Sequence, residues 1–210
     1  MYVVQHSWTT YSCQVTVGRQ PGQRAGLSRA AVLAAARDLL ADTGVEALTM
    51  RALARRLDVA PNALYSHVAS KTALVDELLD DLLGALAPPD EDAPDPVVAL
   101  AGLLHDTYDV LTAHPDLVPL YLARQGARGP HAVRLGEVMD VLLTRAGVDA
   151  QTAPAARRVL IVHALGSAAF ATAGSPAADA ERPLTPEESR RTFATSLQWL
   201  LAGIVQGAPA

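Results

Sequence analysis

The stretch Leu48-Thr-Met-Arg-Ala-Leu-Ala-Arg-Arg-Leu-Asp-Val-Ala-Pro-Asn-Ala-Leu-Tyr-Ser-His-Val-Ala-Ser-Lys71 decides how this chain folds. Thr49 carries the hydroxyl that an N-cap uses to accept an orphan backbone N–H, which predicts a short helix to about Leu57. Leu53 and Leu57 face inward from it, and Ala54 is small where a second helix must cross closely. Val59 follows a tight turn and is placed to plug the gap between the two helices. Pro61 suits the first position of the second helix, predicted over 61–67, with Leu64 and Val68 on its buried back. Its N-terminal part and outer face then carry Pro61, Asn62, Ala63, Tyr65 and His67. Two helices about a tight turn form a helix-turn-helix, a motif whose second helix lays its N-terminal residues against base edges in the major groove.

Working outward, every periodic segment is helical. Ser28 caps a helix whose face is Val32, Ala35, Ala36, Leu39 and Leu40, and Gly44 closes it. Ser70 caps another that runs to about Leu86. Residues 87–96 hold four prolines and the acids Asp90, Glu91, Asp92 and Asp95, so they read as a solvated linker and a domain boundary. Asp95-Pro96 opens a helix to Ala113, His114-Pro115 breaks it, and a short helix follows to Arg124. After a loop at 125–129, Pro130 opens a helix ending near Gly147. A long apolar helix covers 152–173, and 174–183 is a second loop. Thr185-Pro-Glu-Glu188 is a capping box that opens a last helix through Phe193, Leu197, Leu200, Leu201 and Ile204. No strand-rich region, repeat or long heptad interrupts this. The expected fold is all-α, with a tail at 1–26, a helix-turn-helix domain at 27–86 and a larger helical domain at 87–210. Val15, Thr16 and Val17 would suit a short strand but lack a partner. The tail is either flexible or a basic arm that brings Arg19 and Arg24 to DNA.

Composition narrows the function. The net charge of −5 argues against coating nucleic acid by bulk charge, yet the charge is unevenly spread. Residues 19–71 carry eight basic and four acidic side chains, whereas residues from 76 onward carry nine basic and eighteen acidic ones. One end is thus suited to phosphate and the rest to solvent. The single Cys13 forms no internal disulfide, which fits a reducing compartment. The longest apolar run, 159–173, is broken by His163 and is shorter than the roughly 20 residues that span a bilayer. The N-terminus has no basic, signal-like start. A cytoplasmic protein without a membrane partner is expected. No His-Glu-x-x-His helix or glycine-rich phosphate loop is present, and His67, His105, His114, His131 and His163 are scattered. Neither an enzyme, a metal site nor a cofactor is expected.

The segment from Ser28 to about Leu83 resembles the DNA-binding domain of the TetR family of transcriptional regulators. The resemblance rests on Thr49-Met-Arg51, the Leu53-Ala54 pair, Val59, the Leu64-Tyr65-Ser-His67-Val68 run and Lys71, and the Leu-Tyr-x-His spelling is closest to the tetracycline-repressor branch. It implies a contact surface of Thr49, Met50, Arg51, Pro61, Asn62, Ala63, Tyr65, His67 and Lys71. Arg51 would bond a base edge or a phosphate, Asn62 with Pro61 and Ala63 would read bases, and Tyr65 and His67 would hold phosphates. Lys71 would sit beside the N-terminal amides of its helix. One departure is Asp58, where the family's turn usually has glycine; aspartate tolerates the left-handed region better than most residues, so the turn is expected to survive. Pro61 and Ala63 offer apolar contact, suited to thymine methyls.

The resemblance also implies that the second domain binds a small molecule and forms a homodimer on a palindromic operator in double-stranded DNA. Polar or aromatic residues on apolar helices are the pocket candidates: His105, Tyr108, Tyr121 and His163, with Trp199 weaker. The helix at 152–173 and the last helix are expected to form the dimer interface through Leu160, Leu165, Ala169, Phe193, Leu197 and Leu200, or else to be intrachain core. The effector expected is apolar or amphipathic, with one or two hydrogen-bonding groups. Besides a ligand-released repressor, an activator, a ligand-independent DNA-binding protein and a small-molecule binder with a vestigial head remain open.

Overall fold

The computed structural model describes residues 27–173 and 184–207. The proposed strand at 15–17, Arg19, Arg24 and the loop at 174–183 lie outside them. Among the described residues the regular structure is helical throughout: α1 (Arg29–Thr43), α2 (Met50–Arg56), α3 (Pro61–Leu64), α4 (Lys71–Leu83), α5 (Pro96–Ala113), α6 (Val118–Arg124), α7 (Pro130–Arg145), α8 (Ala153–Thr172) and α9 (Pro186–Gln206). None of these helices is long and apolar enough to cross a membrane.

The helix starts are where their caps place them. Ser28, Thr49 and Ser70 accept from the amides of Ala31, Ala52 and Ala73 at 3.0–3.1 Å, each three residues on. Asp95 accepts from Val97 and Val98. The capping box closes in both directions: Glu188 N–H donates to Thr185 Oγ1 at 3.2 Å, and Thr185 N–H donates to Glu188 Oε2 at 2.7 Å. Gly44 ends α1 at φ 78°, ψ 177°, a region open in practice to glycine alone. The chain then makes a 3-10 turn, Val45–Ala47, that the apolar pattern does not announce.

Two helices are shorter than their patterns predict. α3 stops at Leu64, and the amides of His67 and Val68 both turn back to the Leu64 carbonyl at 2.9 Å. The chain must then become extended for Ser70, at φ −163°, to cap α4. α4 stops at Leu83, and the amides of Gly84, Ala85 and Leu86 close on Asp80, Leu82 and Leu83 before the prolines at 88 and 89 remove further donors.

Packing centres on α4. Its Leu74, Val75, Leu78, Leu79, Leu82 and Leu83 are buried, and the helix packs on α1 and also on α6 and α7. Its acids extend the same division. Asp76 and Asp80, one turn apart, reach Arg124 of α6 and His131 of α7; Glu77 and Asp81, also one turn apart, reach Arg29 and Arg37 of α1. Beyond α4, α5 lies along α8 in the most extensive helix pairing, α7 packs on both, and α9 covers α8 and α5. The linker is exposed but strapped to α7: Arg134 pairs with Glu91 at 2.6 Å, and Arg145 donates to the Glu91 carbonyl.

The residues expected at the dimer interface, or else in the intrachain core, divide by their burial within the single chain. Leu160, Leu165, Phe193 and Leu197 are buried inside the single chain, and Ala169 and Leu200 are half-buried. α8 is apolar on nearly every side, so its sequence does not say which side faces the core. The core takes Leu160, Ala164, Leu165 and Ala168, and leaves Val159, Val162 and Phe170 exposed.

Asp58 adopts φ 53° at the end of α2. There Val59 N–H reaches the Ala54 carbonyl at 3.0 Å and Asp58 N–H reaches Arg55 at 3.2 Å, the paired bonds of a Schellman turn. Glycine bears no Cβ cost in this region. Asp58→Gly is therefore expected to stabilise the protein by about 0.5–1 kcal/mol, and Asp58→Val to destabilise it by about 1–2 kcal/mol. Urea midpoints of the two variants check both signs.

Candidate nucleic-acid interface

Burial of the back of the helix-turn-helix sets what its front presents. Leu53, Ala54, Leu64 and Val68 are each at most 1% exposed, which fixes the roll of α2 and α3. Arg51, Pro61, Asn62, Tyr65 and Lys71 are consequently exposed, Tyr65 at 52%, while Met50, Ala63 and His67 are half-buried. Thr49 is exposed, but its oxygen already caps α2, and Met50 packs against the core. These two residues therefore hold the motif in shape as well as bordering its front.

The cations divide by partner. Arg29, Arg37 and Arg56 pair with Glu77, Asp81 and Asp42, all inside the helical framework. Among the described residues, Arg51, Arg55 and Lys71 have no carboxylate partner. Positive charge is thus left uncompensated at α2 and at the start of α4, flanking α3. An exposed helix with a free tyrosine hydroxyl and an asparagine, bordered by unpaired cations, has the chemistry to bond base edges and phosphates together.

In the larger domain, three of the four pocket candidates converge on one ring. Phe193 of α9 stacks on Tyr108 of α5 at 4.4 Å and on His163 of α8 at 5.3 Å, and His105 meets it edge-on at 5.6 Å. Sequence reasoning placed Phe193 at an interface; it is the hub of this cluster, 1% exposed. Tyr121 stands apart on α6, buried, and its phenol pKa is raised by that burial against the opposing effect of a hydrogen bond from the Ala127 backbone. Burial also raises the Tyr108 phenol, with Asp109 adding to the effect and Arg190 opposing it. His163 Nε2 lies 2.9 Å from Ser196 Oγ. Desolvation lowers the His163 pKa, against a smaller raising effect from the Phe193 backbone. The ring borders an open groove of about 330 Å³ between α8 and α9, beside Val162, Phe170, Leu184 and Thr192. Among the described residues no group of three or more His, Cys, Asp or Glu side chains is placed to hold a metal.

Two features went unread in the sequence. The exposed stripe of Val159, Val162 and Phe170 on α8, with Trp199 on α9, sits outside the residues chosen for an interface. Asp80, one of two buried polar side chains among the described residues, was not singled out at all. Its signal was a carboxylate one turn after Asp76 in a leucine-rich helix.

Residues 32–78 match the family of bacterial regulatory proteins, tetR family. An HTH-type transcriptional regulator of Saccharopolyspora erythraea is 31% identical over 141 residues, which span 67% of this chain and 59% of that protein. Tetracycline repressor protein class C of Escherichia coli is 49% identical over 57 residues, 27% of this chain and 26% of the repressor. The chain therefore spans well under two thirds of the length of either relative. A TetR variant from Acinetobacter baumannii AYE, solved in complex with minocycline, superposes with a TM-score of 0.73 at 26% identity, covering 88% of this chain and 99% of that one.

The lowered His163 pKa has a definite sign in stability. Below an ordinary imidazole pKa of about 6.5 the unfolded chain takes up this proton more readily than the folded one, so folding weakens as pH falls through that window. The urea midpoint of the wild-type protein is expected to drop between about pH 7.5 and about pH 5. His163→Gln should show a smaller drop, and an equal drop in both proteins would refute the assignment.

Proposed function

This chain belongs to the TetR family of bacterial regulatory proteins, and from that premise we propose that it is a DNA-binding transcriptional regulator, a repressor released from a palindromic operator by a small apolar or amphipathic molecule. The observation that carries the reading is the front of the helix-turn-helix, where Arg51, Asn62, Tyr65 and Lys71 are exposed and the cations lack carboxylate partners. Asn62, with Pro61 and Ala63, reads base edges; Tyr65, His67 and Lys71 hold the backbone; Arg51 serves either role. Residues 27–86 form the head, and residues 87–210 form the effector and dimerisation domain. The site of action is the cytoplasm, and the activity is binding rather than catalysis.

Two copies are needed for two half-sites about 34 Å apart. The face available for pairing is the stripe of Val159, Val162 and Phe170 with Trp199, in which Val162 is 61% exposed and Phe170 and Trp199 are 73% exposed. Large apolar side chains left in water this way favour a second copy. The effector enters the second domain near the Tyr108–Phe193–His163 stack, where flat apolar rings are joined by the polar edges of His105, His163 and Ser196. The minocycline-bound relative supports a small-molecule ligand for this fold. Effector and operator then oppose each other with a coupling of about 1–3 kcal/mol, a 5–150-fold change in affinity.

Binding to a labelled duplex from upstream of the chain's own gene, against scrambled DNA and across salt concentrations, tests the core of this reading. Preference for the first duplex is expected. Tyr65→Ala should weaken binding, and Lys71→Ala should lower the slope of log affinity against log salt by about 1. Equal binding to both duplexes, followed by failure to select any site from random duplexes, overturns it in favour of a vestigial head. For the assembly, Val162→Asp with Phe170→Asp is expected to convert dimer to monomer in sedimentation without loss of helical signal; an unchanged sedimentation coefficient would remove this stripe from the interface.

A further inference from the structure

The first turn of α7 is capped by another helix. Gly129 precedes α7 and has no side chain to offer, and Pro130 has no N–H. The Ala132 amide, third in the helix, donates to Asp80 Oδ1 of α4 at 3.0 Å, the bond that a local Ser or Asp cap would supply. The other oxygen, Oδ2, accepts from His131 Nδ1 at 3.0 Å. Asp80 is 7% exposed. The space it fills exists because residue 129 is glycine: a Cβ there would lie 2.0 Å from the Asp80 carboxyl carbon. Backbone conformation does not require that glycine, since its φ of −87° and ψ of −179° suit any residue. Gly84, at the end of α4, makes matching room, and a Cβ there would lie 3.2 Å from the His131 ring. At the other end of the 125–129 loop, Arg124 grips Asp76 with two bonds of 2.7 and 2.8 Å.

We propose that Asp80 and Gly129 form a latch between head and effector domain, in which α7 keeps its N-terminal cap only while α4 holds the position seen here. The inference rests on the regulator reading above and deepens it by naming positioning residues for the ligand response. α4 carries the head, because Glu77 and Asp81 fix it to α1. A displacement of α7's first turn strips the Ala132 amide of its acceptor and leaves a buried carboxylate without its donors, unless α4 follows. By linkage the reverse holds: anything that fixes the heads, DNA included, alters the state of α7's first turn.

Amide hydrogen exchange of the full chain, with and without the duplex selected by the binding experiment, tests the latch. In the wild-type protein DNA is expected to change exchange at the Ala132 amide by at least about five-fold. In Asp80→Ala/Gly129→Ser, the new serine caps α7 locally and fills the vacated space. This variant should still bind DNA and keep the amide protected, with no dependence on DNA. Should it fail to fold, Asp80→Ala decides, since it removes the acceptor for Ala132; loss of the DNA response at that amide supports the latch and a full response overturns it. DNA binding by the wild-type protein with no change at Ala132 overturns the latch alone, as does a wild-type response in the double variant. Failure of the wild-type protein to bind any duplex overturns the regulator reading, and the latch with it.

Discussion

α4 must belong to two cores at once, and the rest of the molecule is arranged around that requirement. Its six buried apolar residues join one continuous apolar cluster shared by head and effector domain. Burial of Leu74, Val75, Leu78, Leu79, Leu82 and Leu83 stabilises the junction by about 1.5–3 kcal/mol for each fully buried side chain, relative to exposure. That burial is non-directional and would tolerate a range of angles between the domains. The carboxylates supply the direction. Asp76 and Asp80 are one turn apart and both turn to the effector domain, and Glu77 and Asp81 are one turn apart and both turn to α1. Apolar area makes the junction stable; two acidic rows, offset by one residue, set its geometry.

The same pairing shapes the field around the head. Four carboxylates on α4 would oppose an approaching polyanion, but each has a cationic or imidazole partner. Arg56 is likewise spent on Asp42. Near α3 the cations Arg51, Arg55 and Lys71 stay without a carboxylate partner and outnumber the exposed Asp58 of the turn, so a chain with a net charge of −5 still presents a positive balance where the helix-turn-helix is exposed. Exposed ion pairs contribute little to stability. Their consequence here is positional, since they decide which cations stay unpaired.

Much of this architecture was legible in the sequence because its signals are local. A Ser, Thr or Asp followed three residues later by an orphan amide starts a helix wherever it occurs, and α1, α2, α4, α5 and α9 all begin at the residue so marked. The left-handed Asp58 was equally local. The exposed front of the helix-turn-helix followed from the burial of Leu64 and Val68, which a 3.6-residue period already separates from Asn62 and Tyr65. What failed to show was tertiary. α8 is apolar on most sides, so no period in its sequence separates the face that meets Phe193 from the face that carries Phe170. Asp80 finds its donors at residues 131 and 132, some fifty positions away, and nothing within one turn of Asp80 reports them. The start of α7 did leave a faint mark: among the described residues it is the one long helix opening on Gly-Pro, with no side chain at its cap position.

That missing cap bears on how strongly the two domains can be coupled. A helix cap is worth about 0.5–2 kcal/mol. A useful coupling between effector and operator is about 1–3 kcal/mol. These ranges overlap, and the overlap is a physical requirement. A junction held by a fully buried charge pair, whose rupture costs about 3–5 kcal/mol, would resist any effector of modest affinity. A junction held only by exposed pairs worth about 0–1 kcal/mol would let the heads drift without reporting the state of the pocket. Asp80 lies between these limits. Its carboxylate is buried but its partner His131 is more than half exposed, at 56%, and one of its two bonds is an ordinary cap to a backbone amide. Together with Arg124 on Asp76, where both side chains are roughly a quarter exposed, it gives α4 two attachments of intermediate strength at either end of one short loop. Such a loop can move only by carrying α4 with it or by giving up both attachments.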